Sequence, residues 1–107
     1  MGYAVLATRT NIQLQKLIRT AALVTDQVLF TDHAEMRLLQ RAIGIHDVYD
    51  VLLHGCIERP FVISDEYDDI ECRMERYVGG RHLVVMVALV DEDPGLLVIT
   101  AFEDDEK

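Results

Sequence analysis

The stretch FTDHAEMRLLQRAIG, residues 30–44, decides how the chain is read. Ala34, Leu38, Ala42, Leu39, Ile43 and Met36 fill one continuous apolar arc around a helix axis, and His33, Arg37, Gln40 and Arg41 fill the opposite arc. Thr31 or Asp32 can cap the start, and Asp32 with Glu35 three residues on resembles a capping box. Gly44 is a natural residue to follow the helix end. Neither arginine has a carboxylate three or four positions away on this helix. Two cations spaced i, i+4 repel each other by a few tenths of a kcal/mol, roughly. Their partner must therefore come from outside the helix, either a tertiary carboxylate or an anion such as a phosphate.

Outward from this segment the chain divides cleanly. Upstream, residues 10–22 read as a helix with Leu14, Leu17, Ile18, Ala21 and Ala22 on one face, and residues 28–30 as a brief extended piece. Downstream, a short helix over 47–54 turns Val48, Val51 and Leu52 inward and ends at Gly55. The remainder reads as strand: residues 56–63, 70–78, 82–90 and 96–102. Gly79-Gly80 is a two-residue hairpin signal, because both central positions can take positive φ, and Asp93-Pro94-Gly95 is a second turn signal. Residues 83–90 are apolar on both faces, as in a central strand, while Ile70, Cys72 and Met74 alternate with Glu71, Arg73 and Glu75. The expectation is an α+β domain, with two or three N-terminal helices packed on a curved antiparallel sheet of about four strands.

With 107 residues, half of them hydrophobic, the chain suits one domain spanning 1–107 with a single core. The longest strongly apolar run, HLVVMVALV, is far too short to span a bilayer, and MGYAVLATRT lacks the charged start of a signal peptide. The expectation is a soluble cytoplasmic protein in which Cys56 and Cys72 are free thiols. The net charge of −9 argues against nucleic-acid binding at face value, but it is unevenly spread. Residues 1–62 hold six basic and six acidic groups, whereas residues 63–107 hold four basic and thirteen acidic ones. Twelve of those thirteen fall in 65–71, 91–93 and 103–106, which read as two loops and an acidic, frayed tail over 103–107. Exposed charges further apart than about 8 Å are largely screened in physiological salt, so a local cationic groove is compatible with this total.

The order of motifs in FTDHAEMRLLQRAIGIHDVYDVLLHG and RYVGGRHLVVMVALVDEDPGLLVITAFE resembles the small bacterial family called domain of unknown function 4258, over residues 28–103. That resemblance implies a distant relation to the RelE/ParE- and BrnT-type toxins, helices against a curved antiparallel sheet. Many of those toxins are ribonucleases that cut mRNA and are neutralised by a partner antitoxin. It places His33, Arg37, Arg41, Arg76, Arg81 and Thr100 at positions of recurrent polar residues. The chain departs from the family pattern at Ala42, where Gly is usual. It departs again at Phe102, where a toxin-like nuclease would use a Tyr hydroxyl.

Metal-free RNA cleavage needs a base for the 2′-hydroxyl, cations for the phosphorane and an acid for the leaving oxygen. His33, Arg37, Arg41 and Arg76 are the catalytic candidates, with Arg73, Arg81 and Thr100 as substrate contacts. On the opposing reading, His33 packs the helix start, the arginines pair with acids such as those at 65–69, and His82 marks a strand edge. His46 and His54 read as structural, with His54 paired to Asp50 four residues earlier. The spacing of His54, Cys56 and Cys72 matches no standard zinc site, so no metal and no cofactor are expected. Absence of GxGxxG, P-loop, GxSxG and HExxH patterns removes support for nucleotide-dependent and serine-hydrolase functions. Two functions stay open. One is a toxin-like domain that binds or cleaves RNA, with an antitoxin-like partner. The other is a non-enzymatic acidic interaction module, a degenerate toxin relative or a nucleic-acid mimic. A homodimer is compatible with either.

Overall fold

The computed structural model describes residues 9–64, 69–90 and 95–104. Three helices, α1 (Asn11–Ala22), α2 (Asp32–Arg41) and α3 (Ile45–His54), cover one face of a six-stranded sheet. The strands are β1 (Val28–Phe30), β2 (Cys56–Ile57), β3 (Val62–Ser64), β4 (Asp69–Val78), β5 (Arg81–Val90) and β6 (Gly95–Glu103), in the order β1-β6-β5-β4-β2 with β3 also paired to β4. The architecture is α+β as expected, but the sheet is mixed and larger than four antiparallel strands. Val28–Phe30 is a true strand, parallel to β6 with Val28 opposite Leu96. The stretch 56–63 splits in two around Arg59 and Pro60, because proline cannot donate to a ladder.

The core follows the helical and strand periods. Leu14, Ile18 and Ala22 of α1 and Val48, Val51 and Leu52 of α3 pack against Ile70, Cys72 and Met74 of β4 and Leu83, Val85 and Val87 of β5. In the hairpin Gly79 and Gly80 both take positive φ, 58° and 82°, and the register pairs Val78 with Arg81 and Tyr77 with His82. The 93–95 turn signal lies mainly outside the described residues, as do the acids at 65–68 and the end of the chain beyond 104. Asp69, expected in a solvated loop, is buried at the start of β4. Glu103 and Asp104, expected in the frayed tail, end the sheet: Glu103 pairs with Arg81 at 2.9 Å, and the Asp104 amide donates to the His82 carbonyl at 2.8 Å.

Caps explain the helix boundaries. Thr10 and Gln13 form a full capping box on α1, and Thr31, not Asp32, caps α2 by accepting from the Ala34 amide at 2.9 Å. Gly44 does not end α2. It precedes α3, where the Asp47 carboxylate accepts from its amide at 3.0 Å. The residue that turns the chain at the end of α2 is Ala42, at φ 53° and ψ 44°. A Cβ in this left-handed region is strained, so Ala42→Gly is expected to stabilise the fold by about 1 kcal/mol, net of the extra freedom glycine gives the unfolded chain. Urea unfolding of the two proteins checks this, and a loss of stability would contradict it.

Candidate functional site

The expected apolar arc of α2 is narrower than its sequence suggests. Ala34 and Leu38 are buried, with Ile43 just beyond the helix, but Leu39 is 85 % exposed and Met36 also faces solvent. Together with Ile45, Leu39 borders a shallow cavity of about 350 Å³ lined also by Glu35, Leu38, Ile43 and Gly44.

The polar arc of α2 lies beside the open edge of β6. That strand pairs with β1 only as far as Val98, and α2 and the residue before it serve the carbonyls beyond. The Thr31 amide donates to the Val98 carbonyl at 3.2 Å, the Thr31 hydroxyl to Ile99 O at 3.4 Å, and Arg41 Nη1 to Ala101 O at 2.8 Å and Thr100 Oγ1 at 3.4 Å. Arg81 closes the same corner from the hairpin, donating to the Arg41 and Ala42 carbonyls while its Nε pairs with Glu103. A cation on the last carbonyls of α2 complements the helix dipole. Arg41, Arg81 and Thr100 are thus brought together, but largely in structural work.

Arg37 is different. Its Nη1 donates to Gln40 Oε1 at 2.9 Å and its Nε to His33 Nε2 at 3.3 Å, all on the helix's own outer face. In that contact His33 Nε2 accepts from Arg37. Among the described residues no carboxylate pairs with Arg37 or Arg41, and the acids at 65–68 named above as alternative partners lie outside the described residues. Arg76 joins neither of them. It pairs with Asp50 at 3.1 Å and reaches the His54 carbonyl, which Arg19 also serves. Asp50 is therefore engaged by Arg76, where the spacing suggested His54.

Arg73 points to the sheet face away from the helices, into a charged cluster that its spacing did not reveal. Its Nε lies 3.0 Å from Glu75 Oε2 and its Nη2 2.6 Å from Asp104 Oδ2, and the guanidinium stands over the Phe102 ring. Burial lowers the Arg73 pKa, but the hydrogen bonds and charges of Glu75 and Asp104 raise it more, and the net direction is upward. Glu75 is the one acid of residues 63–107 outside the three acidic clusters, and it is only 5 % exposed. Its Oε1 contacts His82 Nε2 at 2.9 Å, and the His82 ring stacks on Tyr77. Arg59 approaches Glu75 and Asp104 at 4.0 and 3.9 Å.

The two cysteines are free, Cys56 exposed and Cys72 buried in the core, where burial pushes its thiol up to about 12 from 9.0. One thiol is therefore expected to react with a thiol-specific dye in the native protein at pH 8, and two after denaturation. Two fast native reactions would contradict this. The Cys72 contribution to stability is complete below about pH 9. It declines as pH rises toward 12, because there the unfolded chain sheds the proton that the folded chain keeps.

Three helices on one side of a six-stranded mixed sheet define the class as a small α+β domain. The family described as Domain of unknown function (DUF4258) matches residues 30–103, and the chain belongs to it. That match covers the whole of α2 with its polar face, the hairpin and β6. No curated protein and no solved structure matches the chain. No helix among the described residues is long and apolar enough to cross a membrane.

Proposed function

We propose that this domain binds single-stranded RNA through the outer face of α2, with Arg37 as the principal phosphate contact and His33, Gln40 and Arg41 beside it. The observation that carries the reading is that Arg37 has no carboxylate partner among the described residues, in a chain of net charge −9. Where acids are so abundant, an arginine held on a helix face by contacts to a glutamine and a histidine is poised for an external anion. Arg37 can turn its fork from Gln40 to a phosphate without leaving a buried charge unpaired. The finer kinship with RelE- and BrnT-type toxins, a cytoplasmic location and an antitoxin-like partner belong to the same proposal.

Geometry favours binding over cleavage. His33 Nε2 is occupied by Arg37, Arg76 is committed to Asp50, and the opposing sheet residue Arg73 faces the other way. A second reading, a protein-interaction module, draws on Leu39 and Ile45, exposed apolar side chains that border the shallow cavity. Incubation with labelled single-stranded RNA in EDTA, read by anisotropy and on a gel, tests the proposal. Binding that weakens in Arg37→Ala supports it. Cleavage that disappears in His33→Ala would extend it to a metal-independent ribonuclease, and no binding in low salt would leave the interaction module.

A further inference from the structure

On the sheet face opposite the helices, the geometry points to a binding site for one divalent transition-metal ion of the zinc type, held by Glu75, His82 and Asp104. One oxygen from each carboxylate and one ring nitrogen of His82 all lie within 4.8 Å of one another. Around a tetrahedral zinc with ligands at about 2.0–2.2 Å, neighbouring donor atoms stand roughly 3–4 Å apart, so small side-chain rotations complete the set. An imidazole with two carboxylates is a donor set that zinc-type ions accept.

The site is built on rigid backbone. Glu75 pairs with Val84 and Tyr77 with His82, which makes Glu75 and His82 diagonal neighbours on one face of the β4–β5 hairpin. The Asp104 amide bonded to the His82 carbonyl brings the third ligand alongside. Outer-shell support is also present. Arg73 holds Glu75 Oε2 and Asp104 Oδ2, which orients both carboxylates while Glu75 Oε1 faces His82. Ligating carboxylates in metal centres are commonly oriented by such outer-shell hydrogen bonds.

Charge favours a cation as well. Two carboxylates and Arg73 leave one negative charge in a cluster whose Glu75 is 95 % removed from solvent. Arg59 approaches the same carboxylates at 3.9–4.0 Å from a side chain that is 53 % exposed, so a dication bound there competes with it. A dication displacing Arg59 gives a net charge of +1, which an anionic fourth ligand such as hydroxide completes. This site shares no residue with the α2 face, so it stands or falls apart from RNA binding.

Zinc chloride titrated into the EDTA-stripped full chain, followed by calorimetry, tests the inference, with cobalt(II) absorption as a second reading of the same site. One zinc per chain is expected. His82→Ala should weaken binding by at least about tenfold and remove the visible cobalt band. His82→Gln, which keeps a hydrogen-bond donor for Glu75 without the imidazole, gives the same result should the alanine variant unfold. Arg59→Ala should tighten zinc binding, because it removes the competing cation. No zinc uptake, uptake unchanged by loss of His82, or weaker uptake in Arg59→Ala would each overturn the site.

Discussion

Arg73→Met is expected to lower unfolding stability by about 3 kcal/mol in the absence of added metal. Methionine keeps an unbranched apolar stem and removes the charge, its hydrogen bonds and its contact over the Phe102 ring. What remains is Glu75, 5 % exposed in β4, facing Asp104 with its main cation gone. Removing one partner of a buried ion pair costs about 3–5 kcal/mol, because the other is left desolvated and uncompensated. The lower end applies here, since His82 still contacts Glu75 and Arg59 still approaches both carboxylates. The double variant Arg73→Met/Glu75→Met should recover most of the loss, as neither charge then remains in the buried pair. Urea unfolding reads both variants through the midpoint at constant slope. A change below about 1 kcal/mol in the single variant would mean that the cluster is solvated and weakly coupled.

Gly55→Ala is the second large effect, at about 2–3 kcal/mol, and its cause is space rather than backbone strain. Gly55 has φ −77° and ψ −179°, a conformation open to any residue. A Cβ there would lie 2.4 Å from the Val51 carbonyl oxygen and 2.8 Å from the Glu75 carbonyl oxygen. Both obstacles are backbone, so no side chain can swing aside. The end of α3 and β4 would have to separate, disturbing the pairing of Cys56 with Glu75 and the Arg19 bond to the Gly55 carbonyl, now 2.6 Å. Thermal or urea unfolding decides the matter, and a variant within about 0.5 kcal/mol of the parent would contradict this account.

How far the sequence could be read depended on the range of each interaction. Helical spacing located all three helices, and Gly79-Gly80 located the hairpin, because those signals act over a few residues. Strand β1 reads from sequence only as an extended piece, since three residues show no period and their partner in β6 is far along the chain. The division of 56–63 was visible in Pro60, whose missing donor should have outweighed the surrounding β-formers. Gly44 drew the end of α2 two residues too far, because glycine is the usual turning residue and Ala42 takes the left-handed position instead.

The candidate site divides along the same line. That Arg37 lacks an acid three or four positions away on its own helix is a local fact, legible from spacing. That Arg41 serves Ala101 and Arg76 serves α3 depends on tertiary packing and was not. The Glu75–His82 contact lies between these cases. A two-residue turn at 79–80 pairs 78 with 81, 77 with 82 and 75 with 84, so counting outward from the glycines already sets Glu75 diagonal to His82. The partner that no such counting finds is Asp104, which reaches the pair from the end of β6.

The central claim is that Arg37 makes a local phosphate contact in a protein whose overall charge repels RNA. The salt dependence of single-stranded RNA affinity, measured side by side for the parent chain and Arg37→Ala, tests it most directly. Overall repulsion is nearly common to both proteins, so the difference in slope isolates the contact. The account predicts that the variant binds more weakly and that its plot of log affinity against log salt is shallower by about 0.7, the loss of one phosphate contact on a single strand. Coincident lines for the two proteins would contradict it.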